Sequence, residues 1–147
     1  LGLQQETLFG PLVRGIHFWS ANLLIATVLL HLLRVVFSGA SEGPRRFNWL
    51  IGLGLFAFVV FSNFTGYLLP WDQIAYWAIT IGGNMANFAP LFNTPSQLLL
   101  LGGIEVGQNT LLRFYVLHVI LMPLVAALFL AVHFWRIRKD GGISGPL

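Results

Sequence analysis

The sequence predicts an all-α membrane protein, a bundle of transmembrane helices in one domain spanning residues 1–147, and three observations carry that prediction. Of the 147 residues, 56% are hydrophobic and 9% charged, and the mean hydropathy is +0.78, a balance outside that of soluble globular domains. Three apolar stretches, approximately 16–37, 49–69 and 111–135, are each long enough to cross a hydrocarbon core of ~30 Å as helices. The chain's four histidines sit inside the first and third of these stretches, as His17 with His31 and His118 with His133.

Leu1 to Val13 reads as a mixed approach segment with a turn at Gly10-Pro11. The first span stops in the small-residue run Ser38-Gly39-Ala40-Ser41-Glu42-Gly43-Pro44, a helix-ending composition. Because that connection is short, spans one and two are expected to be antiparallel neighbours. Span two, rich in Gly and Phe, runs out at Gly66-Tyr67-Leu68-Leu69-Pro70, where proline and the residue before it disfavour continued helix. The connection 71–110 is expected to lie at the membrane interface. Trp71, Tyr76 and Trp77 fit an aromatic belt, 73–85 has room for a helix along the surface, and 96–101 for a second, short one, with Pro90 and Pro95 as punctuation. Long ordered connections of this kind are often functional. Span three carries Pro123, which frees the carbonyl of Val119 and is expected to kink the helix.

A sequence pI near 10.0 could suggest nucleic acid, but the cations lie where a bilayer sorts them, and a lipid bilayer is the expected partner. Arg34, Arg45, Arg46, Arg136, Arg138 and Lys139 follow the first or third span, whereas Arg14 and Arg113 fall at the opposite ends. By the positive-inside rule the C-terminus faces the electronegative (n) side and the chain begins on the electropositive (p) side. With no cysteine in the chain, disulfides, iron–sulfur ligation and thioether haem attachment are excluded within it.

The histidine intervals are 14 and 15 residues. At ~100° and ~1.5 Å per residue, the first falls about 40° short of a whole number of turns and the second about 60° beyond one. Each pair therefore keeps to one side of its helix, with its members about 21 to 22 Å apart. Spans one and three run in the same direction, so His17 is level with His118 near the p side and His31 with His133 near the n side. Two imidazoles facing each other make a six-coordinate, low-spin iron site with no open position, which is electron-carrier coordination. Zinc would need four ligands converging on one point. Arg14, Arg34 and Arg113 each stand about one turn outward from a histidine, where a guanidinium can bind a haem propionate through charge-assisted hydrogen bonds; helix-end arginines also snorkel to headgroups. Two other classes fit histidines in helices. A haem-b anchor of a membrane dehydrogenase is one, and a proton-relaying transporter subunit is the other, although the latter needs polar groups between the histidines, where 21–30 is almost wholly apolar.

The motifs Arg14-x-x-His17, His31-x-x-Arg34, Gly66-Tyr67-x-Leu69-Pro70-Trp71-Asp72-Gln73 with Tyr76-Trp77, Arg113-Phe114-Tyr115-x-Leu117-His118, and the tail His133-x-x-x-Ile137-Arg138-Lys139 with Gly142-Ile143-Ser144-Gly145-Pro146-Leu147 cover almost the whole chain. Together they resemble the cytochrome b family, and more narrowly the b6 type, the N-terminal half of a split cytochrome b. The second interval of 15, Asp72 at a position commonly glycine in the unsplit form, and the ending, which resembles the natural terminus of the split subunit, favour that type. The resemblance implies two b haems, ligated by His17/His118 on the p side and His31/His133 on the n side. It implies a quinol-oxidising complex, expected to be dimeric, with a Rieske iron–sulfur protein, a c-type cytochrome and a second membrane subunit, in a bacterial plasma membrane or thylakoid. Pro70, Trp71, Asp72 and Tyr76 match the border of the quinol-oxidation pocket, and Arg138 resembles the arginine beside the n-side quinone. Asp72 has two readings, as a proton carrier and as a solvated or capping carboxylate. The subunit is not expected to be catalytic alone, since the family's Pro-Glu-Trp-Tyr quinol motif is not found in it. The family's first helix, with its glycine contacts to the haems and, in the b6 type, the cysteine for an additional c-type haem, has no counterpart here; the family has four spans and this chain three.

Overall fold

The computed structural model describes residues 7–86 and 94–142, all in helices, turns and short connections, with no strand among them. Six α-helices follow one another: α1 (Gly10–Phe37), α2 (Arg46–Tyr67), α3 (Gln73–Ala86), α4 (Thr94–Leu101), α5 (Gln108–Val116) and α6 (Met122–Lys139). A 3-10 turn at Gly43–Arg45 leads into α2, and a π turn at Leu117–Leu121 joins α5 to α6. Three continuous helical stretches are long and apolar enough to span a bilayer: Gly10–Phe37, Gly43–Tyr67 and Gln108–Lys139, with mean hydropathies of 1.9, 1.7 and 2.5. Of their apolar windows only 6%, 11% and 6% is buried within the chain, so lipid or other subunits must cover the rest.

The first helix begins earlier than the sequence suggests. Gly10-Pro11, expected to form a turn, instead opens α1, with Phe9 at φ +63° before it. Proline suits this place because the first-turn N–H has no helical acceptor and its ring presets φ. At the other end, Gly39 adopts φ +69° and Ala40 N–H donates to Val35 O at 3.0 Å, a Schellman closure that requires the left-handed residue. The polar side chains along α1 satisfy themselves locally: Asn22 donates to Phe18 O at 2.8 Å and Thr27 to Leu23 O at 2.9 Å, as lipid surroundings demand. Span two ends at Tyr67 rather than at Leu69, and α3 and α4 extend slightly beyond the expected 73–85 and 96–101. Pro90 and 143–147 lie outside the described residues.

The described residues divide into two compact units. The first comprises α1, α2 as far as Asn63, and α6 from Leu124. Within it Leu32, Ile51 and Leu55 are buried, the Phe58 and Phe129 rings meet at 5.3 Å between centroids, and a methyl at Gly54 would touch Phe129 at 3.5 Å. The second unit, Phe64–Pro123, closes around Leu68, Ala75, Ile79, Leu101 and Phe114. Burying side chains of that size contributes roughly 2 kcal/mol each where water is the alternative. Thr110 locks the α4–α5 connection, accepting from Gly107 N–H at 3.1 Å and donating to Leu101 O at 2.7 Å.

Candidate functional site

His118 lies in the second unit, half-buried inside the π turn. Met122 N–H donates to Leu117 O there, an i→i+5 bond. Pro123 is the cause in physical terms: its ring would collide with the carbonyl of Val119, and a wider turn relieves that clash. The expected effect of Pro123 is therefore expressed one turn upstream, around the histidine.

The His118 ring packs its edge against α2. A methyl group at Gly66 would lie 2.6 Å from His118 Cε1 and 3.0 Å from Nε2, so only glycine admits the ring. The neighbouring Thr65, fully buried, places Oγ1 at 3.0 Å from His118 Nδ1. In the first unit His133 meets α2 in a similar manner but less closely, with a methyl at Gly52 lying 3.6 Å from its Cε1. The histidines on α5–α6 thus have glycine counterparts on α2, Gly66 and Gly52, themselves 14 residues apart. Gly66 belongs to a recognisable motif and Gly52 to none; the matching interval was the available signal.

His133 and His31 line one cavity together with Arg45, Asn48, Trp49, Gly52, Ile137 and Asp140. His133 Nδ1 and Asn48 Oδ1 are buried there without a hydrogen-bond partner among the described residues, a cost that buried polar atoms ordinarily avoid. A flat macrocycle with polar edge groups fits such a wall of imidazole, indole and glycine. Arg136, one of the cations that follow the third span, pairs with Asp140 at 3.0 Å and stacks over the Phe47 ring at 5.1 Å.

The remaining site residues are placed as follows. His17 and Arg14 lie exposed on α1, and Arg34 is exposed in its last turn. His17 and His118 fall in different units. Arg138 is exposed and is not part of the cavity wall, to which Arg45 contributes instead. Arg113 donates from Nη1 to the carbonyls of Leu98 and Leu99, closing the C-terminus of α4 where cations are favoured. Pro70 and Trp71 form the tight turn into α3, with Trp71 at φ +55° and its N–H donating to Leu68 O at 3.2 Å. Left-handed backbone at so bulky a residue is strained by roughly 1–3 kcal/mol. Tyr76 is exposed on α3, its ring edge-on to Trp77 at 5.8 Å.

Asp72 caps α3, its Oδ1 accepting from Ala75 N–H at 2.8 Å. Of the two readings of this carboxylate, the capping one has a bond in the structure. Asp72→Ala is expected to cost about 0.5–2 kcal/mol and Asp72→Asn almost nothing, measured as hydrogen-exchange protection in the first turn of α3. Equal loss of protection in both variants would show that charge, not the cap bond, holds the turn.

Three apolar spans, the third carrying two histidines whose rings lie against glycines of α2, define a class: helical membrane proteins. The chain belongs to the cytochrome b (N-terminal)/b6/petB family, whose model matches residues 22–146. Among curated relatives, it is 46% identical to cytochrome b6 of Mesostigma viride over 139 residues, covering 95% of this chain and 64% of the relative. It is 44% identical to cytochrome b6 of Heliomicrobium gestii over 145 residues, covering 99% of this chain and 68% of the relative. The chain thus spans less than two thirds of the length of the first and slightly more of the second.

Proposed function

We propose that this chain is the dihaem cytochrome b subunit of a quinol-oxidising complex, passing electrons across the membrane from a p-side quinol-oxidation site to an n-side quinone-reduction site. The observation that carries this reading is the pair of histidine intervals, 14 and 15, the second of them on the helical stretch with the π turn, where the two imidazoles are backed by Gly66 and Gly52. His17 with His118 would ligate the p-side iron, and His31 with His133 the n-side iron. Arg14, Arg34 and Arg113 would bind the propionates. Bound there, haem b supplies one-electron chemistry between Fe(III) and Fe(II).

The chain's own residues then have separable tasks. The histidines would hold the iron through their imidazole nitrogens. The glycines of α2 let the imidazoles lie close to the backbone, and the apolar stretch 21–30 keeps water and ions out of the interval between the two levels. Pro70, Trp71, Asp72 and Tyr76 would shape the border of the quinol pocket, and Arg138 would serve the n-side quinone. The Rieske protein, a c-type cytochrome and a second membrane subunit are the partners this reading requires, in a bacterial plasma membrane or thylakoid with the C-terminus on the n side. An additional c-type haem would need a cysteine from outside the sequence in hand.

Dithionite reduction of the purified complex is expected to give two b-type haem signals per chain. A preparation with intact helices and no haem absorption bands would sink the reading.

A further inference from the structure

We infer that Thr65 is a positioning residue for the p-side haem ligand, fixing the tautomer of His118 and lowering the reduction potential of the iron it binds. The inference rests on the dihaem reading above and goes beyond it in assigning a role to a side chain on a helix that bears no histidine.

Thr65 is fully buried, and its Oγ1 lies 3.0 Å from His118 Nδ1. Gly66, next in sequence, holds the ring edge so closely that a methyl group would sit 2.6 Å from Cε1. The ring is thus pinned at two points. Neutral imidazole carries one N–H, and the nitrogen that ligates metal must present a lone pair. With Nδ1 engaged by Thr65, Nε2 is the ligating atom, the proton stays on Nδ1, and Nδ1–H donates a hydrogen bond to Oγ1. A ligand whose far N–H is shared with an acceptor is more basic. More donation to iron favours Fe(III), and the potential falls.

The other end of the chain provides the contrast. Fourteen residues before Thr65 on α2 stands Ile51, buried and without a polar atom in its side chain. His133 Nδ1, beside Gly52 in that unit, has no hydrogen-bond partner among the described residues. The hydroxyl therefore acts on one of the two ligating histidines of this helical stretch and not on the other. Such an asymmetry biases the electron toward the n-side iron without any difference in ligand type.

The test is a redox titration of both haems in the intact complex carrying Thr65→Val, which keeps the volume and removes the acceptor, beside Thr65→Ser, which keeps the hydroxyl. Thr65→Val is expected to raise the midpoint of the His118-ligated haem by on the order of a tenfold change in its Fe(III)/Fe(II) equilibrium, about 59 mV for one electron. The His133-ligated haem should not move, and Thr65→Ser should titrate as wild type. If Thr65→Val instead loses the p-side haem while Thr65→Ser retains it, the hydroxyl is still shown to be the group that matters. Unchanged midpoints in Thr65→Val, equal shifts of both haems, or the same shift or loss in Thr65→Ser would overturn the inference. Absence of haem bands from the wild-type complex would be a failure of the dihaem reading itself, distinguishable from all of these.

Discussion

His133→Ala is expected to remove the n-side haem and leave the p-side one, cutting the b-type absorbance by about half, because a bis-histidine site loses half its axial ligation with the ring. His118→Ala should do the reverse. The apolar spans are covered chiefly by their surroundings, with 6% of the Gln108–Lys139 window buried, so deleting one half-buried ring is not expected to unfold the helix. The cavity holding His31 and His133, with the unpartnered Nδ1 and Asn48 Oδ1 on its wall, would then be left with a single imidazole. Haem content measured on each purified variant, with reduced-minus-oxidised spectra to say which signal is gone, decides the matter. If either variant kept both haems at full occupancy, the pairing of His17 with His118 and of His31 with His133 would be wrong.

The spans and the histidine intervals were legible in the sequence because both rest on one helical period and on bulk hydropathy, which local residues determine. The π turn was not. Pro123 announced a disturbance, but whether a helix answers a missing N–H by bending or by widening depends on which adjacent carbonyl can move, and no sequence period encodes that. Arg113 shows a different limit. Its distance from His118 suggested a propionate, while the carbonyls it also meets belong to α4, brought beside it by the Gly102 turn at φ +77°, a tertiary neighbour that no periodicity reveals. Asp72 was readable in advance, since a carboxylate just before a helical stretch caps it whether or not it has further chemistry.

Gly66→Ala should be far more damaging than Gly52→Ala, although both add one methyl group to the same helix. Each gains up to about 1 kcal/mol in intrinsic helix propensity, so that contribution cancels between them. What differs is the imidazole. At Gly52 the new methyl would lie 3.6 Å from His133 Cε1, an ordinary contact that could be made without movement. At Gly66 it would lie 2.6 Å from His118 Cε1, 3.0 Å from Nε2 and 3.2 Å from Nδ1, inside the van der Waals limit. The ring cannot retreat freely, because Thr65 holds Nδ1 and the π turn fixes its Cα. Overpacking of this type costs roughly 1–3 kcal/mol, and every 1.4 kcal/mol is about tenfold in a binding equilibrium. The expected outcome is p-side haem occupancy reduced about tenfold or more in Gly66→Ala, with both haems near wild type in Gly52→Ala, read from haem-to-protein ratio and the two reduced signals. Equal losses in the two variants, or full occupancy in Gly66→Ala, would show that the close approach of Gly66 to His118 does not hold the ligand in place.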